Sequence, residues 1–523
     1  MKPTHGGTDI ARLLTTVAPN LPLPLQDEGV RYTSQGSVLV IGPAALIVPA
    51  AQKLAQTTRV VACSMDILPA SSARANPLFI PCQIRVVHGF LGNFRVGAQD
   101  PAGNPLDLDL FSPRSDGGFD LVLDLSVTPL LSMAIKPPGY FSPQPANIDA
   151  AIEQLLALKG SFRKPRYFHY NADICGHGAQ SVGGCTRCLS RCPAEAITSV
   201  GERIKVNAHL CQGCSTCMLI CPTGALSHAI QTPEAMLVAL ASKVNAHVDR
   251  LCIHEANEPM KSTPDTACLT VPAIAAAGPE IWFGALALGF RQVLIELPKD
   301  LAELTRDAFN QQIIQAHTLL SAIGQPVERI ISTSSAPPAL LAPENQPASF
   351  PVLPAYIGKR DQLLWALDTL QGGSDRGGFV ELQPGADMGG IQVDSASCTL
   401  CMACSQLCPT NALISESGQT RLDFIEARCI QCGICERACP ENAISMQARF
   451  LLNAAERQTQ VTLTQDQRHR CPQCGEPFIS KALLEKSIQI MQLQGNLGDD
   501  GIENLRSCPR CRVQQIHKPE TTN

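Results

Sequence analysis

Two kinds of hydrophobic pattern alternate along the chain. Residues 37–64 read as a strand (SVLVIG), a helix (PAALIVPAAQKLAQ) and a second strand (RVVACS), with further apolar runs at 84–87 and 119–125. Short, continuous apolar runs joined through a helix predict parallel strands buried on both faces, so residues 30–135 read as an α/β domain. The same alternation returns at 231–333, with strands at 250–253, 268–271, 292–297 and 329–332 and helices at 273–288 and 301–323. Proline-rich IKPPGYFSPQP reads as a connector, and 148–159 as a helix feeding the region after it. Residues 334–350 (SSAPPALLAPENQPASF) read as a Pro/Ala-rich linker.

The remaining stretches follow another rule. AITSVGERIKVN and ALISESGQTRLDF alternate with period two and break at Gly201 and Gly418, which predicts strand, turn, strand in each. Each is introduced by one phrase, C-P-x-x-A-[I/L], which occurs four times: at Cys192, Cys221, Cys408 and Cys439. The phrases come in pairs, with 18 residues between Cys192 and Cys211 and 20 between Cys408 and Cys429. These are two copies of one paired unit.

Composition narrows the possibilities. A chain of 523 residues reaches three or four domains at ~150 residues each, enough for sizeable cores without disulfides. Its net charge of −5 and 4% aromatic content lack the basic footprint and stacking platforms of nucleic-acid binders. Prolines and Glu280 interrupt the most apolar stretches, 38–55 and 267–290, so no membrane span is expected. The N-terminus, MKPTHGGTDIARLL, has neither a signal-peptide apolar core nor paired arginines, and the expected location is the cytoplasm.

Cysteine usage changes the picture most. Of 24 cysteines, eight lie between 175 and 221, eight between 398 and 439, and four between 471 and 511. In a reducing compartment such clusters point to metal rather than disulfides. Cys398-x2-Cys401-x2-Cys404-x3-Cys408-Pro and Cys429-x2-Cys432-x2-Cys435-x3-Cys439-Pro carry the iron–sulfur spacing. Three thiolates at two-residue intervals wrap one cluster, while the fourth leaves along a short helix to the other. Pro409 and Pro440 then stop the loop. Paired zinc sites would not demand three-cysteine runs ending in C-P.

Residues 395–446 thus resemble a bacterial 2[4Fe-4S] ferredoxin, and residues 175–228 resemble a second copy. The spacing expects one [4Fe-4S] cluster on Cys398, Cys401, Cys404 and Cys439, and another on Cys429, Cys432, Cys435 and Cys408. The first copy departs from the pattern in one half. Cys211, Cys214, Cys217 and Cys221 keep the full spacing, but the other half reads Cys185-x2-Cys188-x3-Cys192-Pro, and its expected first cysteine falls at Val182. Cys175 is the natural substitute, with Gly183 and Gly184 allowing a flexible approach. The expected sets are Cys175, Cys185, Cys188 and Cys221, then Cys211, Cys214, Cys217 and Cys192; a three-ligand first cluster is the alternative. His177 is a further candidate ligand, a solvated loop histidine being the plainer reading.

Cys471-x2-Cys474 and Cys508-x2-Cys511, separated by 33 residues, suit a structural Zn²⁺ held by four thiolates. Rubredoxin-type iron uses the same ligands, but its surrounding aromatics are missing. The layout over 30–66, with Asp66 after the second strand, echoes a dinucleotide site. Its turn, Gly42-Pro43-Ala44-Ala45, lacks the glycine fingerprint, so a docking or structural domain is expected. Residues 249–297 resemble the small iron–sulfur subunit of hydrogenase–heterodisulfide reductase complexes, although that family uses more cysteines than Cys252 and Cys268. With Cys63 and Cys82, these two are expected to be buried small hydrophobes.

The fold expected is multidomain, α/β and α+β. Two ferredoxin-like 2[4Fe-4S] modules (160–230 and 390–448) are set among two α/β segments (30–135 and 231–333), with a zinc ribbon at 465–515. The function expected is a polyferredoxin with four [4Fe-4S] clusters, an electron carrier rather than an enzyme by itself, since no general base, nucleophile or substrate pocket is evident. The layout is similar to proteobacterial iron–sulfur proteins associated with molybdenum formate dehydrogenase, which implies a redox-enzyme partner of that kind. Two other readings stand beside it: an oxidoreductase subunit with flavin or nicotinamide in an α/β domain, and a maturation factor or scaffold.

Overall fold

The structure, a computed structural model, describes residues 29–516 except 71–74, 245–247, 257–264, 334–340, 342–357, 373–375, 417 and 496–497. The Pro/Ala-rich linker at 334–350 therefore lies outside the described residues, Leu341 excepted.

Near the N-terminus, five parallel strands pair in the order Leu78–Pro81, Arg59–Ser64, Ser37–Ile41, Leu121–Asp124, Tyr140–Phe141. Helices Ala44–Leu54 and Ile148–Leu156 cover one face. An antiparallel sheet of Gln83–Phe90, Asn93–Gln99 and Pro105–Leu106 covers the other. Burial on both faces is why these strands are unbroken apolar runs. Two expectations change here. The proline-rich connector supplies the edge strand, because Tyr140 and Phe141 bury their rings and the Tyr140 hydroxyl donates to the Asp124 carboxylate. The helix at 148–156 sinks Ile152 and Leu155 into this core instead of serving the cysteines. Val30–Ser34 then pairs antiparallel with Gly160–Lys164, so this unit continues past residue 135 to 164.

The second α/β unit has four parallel strands in the order Thr266–Val271, Arg250–Glu255, Gln292–Glu296, Ile330–Thr333. The helix expected at 273–288 starts only at Pro279, because Gly278 is extended and proline suits the first helical position. Helix Pro279–Leu288 is buried along its whole length, between helices Pro233–Ala241 and Lys359–Gln371. Its core also takes in Leu219 and Ile220 from the first cysteine region and Met388 and Phe450 from beside the second. This unit is the hub on which both cysteine regions rest.

Each cysteine region is closed by two pairs of strands. In the first, Phe168–Tyr170 pairs with Leu226–His228, and Ile197–Val200 pairs with Arg203–Val206. In the second, Gly389–Val393 pairs with Ile444–Leu451, and Leu413–Ile414 pairs with Arg421–Phe424. Arg421–Phe424 also pairs with Val461–Gln465, which ties the C-terminal unit to the second region.

Candidate metal centres

The cysteine loops obtain their curvature from left-handed backbone at fixed places. Gly213 and Ser215, Leu400 and Met402, and Gln431 and Gly433 all have positive φ, one residue on either side of Cys214, Cys401 and Cys432. The cost is ~1–2 kcal/mol for each residue with a Cβ, so the loops persist only because their surroundings fix them. Short helices follow at once, Thr216–Leu219, Ala403–Gln406 and Ile434–Ala438, and carry Cys217, Cys404 and Cys435.

The repeated C-P-x-x-A phrase has a local cause as well. The third residue after each of its cysteines is left-handed: Glu195, Gly224, Asn411 and Asn442. At three of the four, this turns the next amide back on the sulfur. The N–H groups of Ala196, Ala412 and Ala443 donate to Sγ of Cys192, Cys408 and Cys439, each at 3.3 Å. Such bonds favour thiolate, and they tune a metal cluster bound through it.

In the second region the half-motifs exchange their fourth cysteines. Cys408, Cys429, Cys432 and Cys435 line one cavity with Ile430 and Met446. Burial, and then the like charges of Cys401, Cys398 and Cys439, push the Cys404 thiol up to about 12. Cys439 thus belongs spatially with the first run and Cys408 with the second.

The first region reaches a similar arrangement by another route. The residues between Cys175 and Cys185 form a tight hairpin, Gly178–Ala179 on Val182–Gly183, rather than a flexible approach. Its ladder continues through Gly184 N–H to His177 O at 2.6 Å and Cys185 N–H to Gly176 O at 2.7 Å, which returns Cys175 to the loop. Burial, followed by Cys221, Cys185 and Cys175, pushes the Cys188 thiol up to about 12. Cys217 is raised by burial, then by Cys214, Cys211 and Cys192. His177 is not a solvated loop residue. It is buried, its Nδ1 lies 2.9 Å from Cys185 O and its Nε2 2.8 Å from Ser199 Oγ, so both ring nitrogens are engaged.

Each set is thus four soft sulfur donors brought together from two runs of the chain. A metal centre would supply the positive charge that four neighbouring thiolates need, and an all-sulfur donor set suits iron–sulfur chemistry.

Basic residues that carry no motif hold these loops. Lys359 Nζ donates to Met218 O at 2.6 Å and Leu219 O at 3.0 Å, while its neighbour Arg360 donates to Ala427 O at 2.7 Å and Cys429 O at 2.6 Å. One helix start therefore grips both cysteine regions. Lys164 Nζ reaches Cys211 O at 2.6 Å from the first α/β unit. Only the amphipathic pattern KRDQLLWALDTLQ could have pointed to the first two; nothing in the sequence marks Lys164.

At the C-terminus, the sulfurs of Cys471, Cys474, Cys508 and Cys511 lie within 4.8 Å of one another. Burial opposes ionisation of Cys471, but N–H groups led by that of Cys508, at 3.3 Å from Sγ, outweigh it and hold the thiol below its usual range. The first knuckle sits on the hairpin Arg468–Arg470 and Pro477–Ser480, while the second opens helix Pro509–Ile516. The unit is a knuckle and helix, not the pair of equivalent turns its spacing suggests.

The α/β units show no comparable donor sets among the described residues. Asp66 Oδ2 accepts from Ala44 N–H at 2.8 Å, so the chain's own carboxylate occupies the helix start where a nucleotide phosphate would bind. Cys63 and Cys82 are buried in the same apolar core. Cys252 is buried opposite Cys268, which is partly covered, on neighbouring strands.

Comparison with known families agrees with this geometry. Residues 397–444 match the 4Fe-4S dicluster domain, and residues 203–226 match a 4Fe-4S binding domain. The chain is an iron–sulfur protein with two ferredoxin-type domains. The half-motif with Cys175, Cys185 and Cys188 lies outside both matches. No curated protein matches the chain. Among the described residues, no helix is long and apolar enough to cross a membrane.

Proposed function

We propose that this protein carries single electrons for a partner oxidoreductase through four [4Fe-4S] clusters. Their ligand sets are Cys211, Cys214, Cys217 and Cys192; Cys175, Cys185, Cys188 and Cys221; Cys429, Cys432, Cys435 and Cys408; and Cys398, Cys401, Cys404 and Cys439. Cys471, Cys474, Cys508 and Cys511 hold a structural Zn²⁺. The grouping of sixteen cysteines, most of them partly buried, into four all-thiol sets carries the reading, with N–H···S donors at three of the sets. The Asp66 carboxylate at the helix start in the first α/β unit argues against a nicotinamide or flavin phosphate there. The layout makes molybdenum formate dehydrogenase the partner to try first, in the cytoplasm.

Anaerobic purification with iron, sulfide and zinc analysis tests this proposal. The expected content is ~16 Fe and ~1 Zn per chain. Reconstituted protein holding half that iron, or zinc alone, would overturn it. Flavin bands in the visible spectrum would favour an oxidoreductase subunit instead.

A further inference from the structure

The two ferredoxin-type domains meet at a junction that neither motif specifies. The Arg187 guanidinium leaves the first domain and donates from Nη1 to Ile430 O at 3.3 Å, and from Nη2 to Ala386 O at 3.0 Å and Gly385 O at 3.3 Å. The same Nη1 lies 3.5 Å from Cys185 Sγ. From the other side, Arg437 Nε donates to Gly183 O at 2.7 Å. The two glycines at the junction leave little room. A methyl group on Gly176 would lie 2.7 Å from Ile430 Cδ1 and 3.8 Å from Cys432 Cβ, and one on Gly184 would lie 2.8 Å from Ile434. Gly176, whose carbonyl accepts from Cys185 N–H, thus brings the Cys185 loop against Cys432.

We infer that the two domains form one conducting series, in which Arg187 positions the Cys185 site against the Cys432 site. This rests on the four-cluster reading above and adds an order to it. The order runs from the Cys211, Cys214, Cys217 and Cys192 site to the Cys175, Cys185, Cys188 and Cys221 site. It then crosses to the Cys408, Cys429, Cys432 and Cys435 site, and ends at the Cys398, Cys401, Cys404 and Cys439 site.

The neighbours agree with this order. Helix Arg187–Arg191, which carries Cys188, packs on Thr216–Leu219, which carries Cys217, and helix Ala403–Gln406, with Cys404, packs on Ile434–Ala438, with Cys435, each a step within one domain. Across the junction, helix Ile434–Ala438 packs on strand Val182–Gly183, two residues before Cys185. At each step one site loses one electron and its neighbour gains it; no bond forms or breaks and no proton moves. A dithionite-reduced sample supplies the electron in the test.

Arg187 is a positioning residue with an electrostatic consequence. Its cation and its N–H beside Cys185 favour the extra electron on that site, since net charge and hydrogen bonds to sulfur set cluster potentials. Arg187→Gln should lower the potential of that site by ~59 mV, a tenfold change in its one-electron equilibrium, and Arg187→Lys should restore most of it.

The order itself is tested on the anaerobic full-length holoprotein, with iron and sulfide measured first in every variant. Cys408→Ala removes the facing site and should slow the EPR spin relaxation of the first domain's clusters. Cys398→Ala removes the far site and should leave that relaxation nearly unchanged. Equal effects of the two variants, or none from either, would overturn the series while leaving the four-cluster reading intact. A wild-type iron content too low for four clusters would overturn that reading first. An unchanged potential in Arg187→Gln of normal iron content would remove Arg187 from the junction.

Discussion

The second ferredoxin-type domain is built by local rules, whereas half of the first is built by an insertion. In the second, both cysteine runs bend through paired left-handed residues, Leu400 with Met402 and Gln431 with Gly433. In the first, only the run at Cys211 does so, through Gly213 and Ser215. Thr186, at the position equivalent to Ser215, has φ −117°, and the hairpin at 178–183 replaces the missing turn. The same donor geometry can thus come from backbone strain held in place by packing, or from a hydrogen-bonded ladder. The family match, which covers both runs in 397–444 but only one in the first domain, follows this division.

Removing a fourth cysteine is the severest way to break the comparison. Because Cys408 lines the cavity of Cys429, Cys432 and Cys435, Cys408→Ala should cost the cluster there, ~4 Fe per chain. Iron analysis and EPR should show the signals of the Cys398, Cys401 and Cys404 site surviving. Loss of those signals instead would show that the fourth cysteines are not exchanged.

A smaller loss is expected in the first domain. Cys175→Ala opens one corner of its site and should release ~1 Fe, leaving a three-iron EPR signal in aerobically handled protein. His177→Ala should keep the full iron content and lower stability by ~1–3 kcal/mol, because it leaves Cys185 O and Ser199 Oγ without their partner. Chemical denaturation separates these outcomes. A three-iron signal in His177→Ala would make the imidazole a ligand after all.

The C-terminal unit tests whether the second domain stands by itself. Cys474→Ser should release zinc and expose residues 465–515 to protease. Val461–Gln465 pairs with Arg421–Phe424, and Ser480 Oγ donates to Thr399 O at 3.2 Å, so hydrogen exchange should rise at those contacts. The iron signals should persist. Their loss would make the C-terminal unit part of the second domain's core.

Legibility followed the same division between local and distant causes. The strands at 37–41, 59–64 and 292–296 were readable because burial on both faces leaves only apolar residues. The cysteine runs at 398–439 and 211–221 were readable because iron–sulfur ligation fixes spacing within a few residues. What escaped depends on contacts between distant segments. Tyr140–Phe141 looked like part of a proline-rich connector, yet it adds a strand to a sheet already formed. Arg187, Lys359 and Arg360 are ordinary surface letters until the fold places carbonyls of other segments within reach. The insertion at 176–184 was visible as spacing, but its hairpin was hidden because Gln180 and Ser181 are not residues that favour such a turn.

That mismatch gives the mildest test. Gln180 has φ 46° and Ser181 φ 66°, so both loop residues of the hairpin are left-handed. A residue with a Cβ loses ~1–2 kcal/mol in that conformation, which is why Asn-Gly is the preferred pair. Glycine at 181 relieves the strain but adds freedom to the unfolded chain, returning ~0.4–1 kcal/mol. The strain is the larger quantity. The Ser181 N–H that donates to Glu202 Oε1 at 3.1 Å is a backbone group and survives the change. The double variant Gln180→Asn, Ser181→Gly should therefore steady the hairpin by ~0.5–1 kcal/mol, a factor of ~2–5 in local opening. Iron loss from the first domain to a chelator should slow by that factor, while the second domain loses iron at its original rate. An unchanged rate in the first domain would mean that the ladder does not hold Cys175 in place, and that the two domains rely on the same kind of loop.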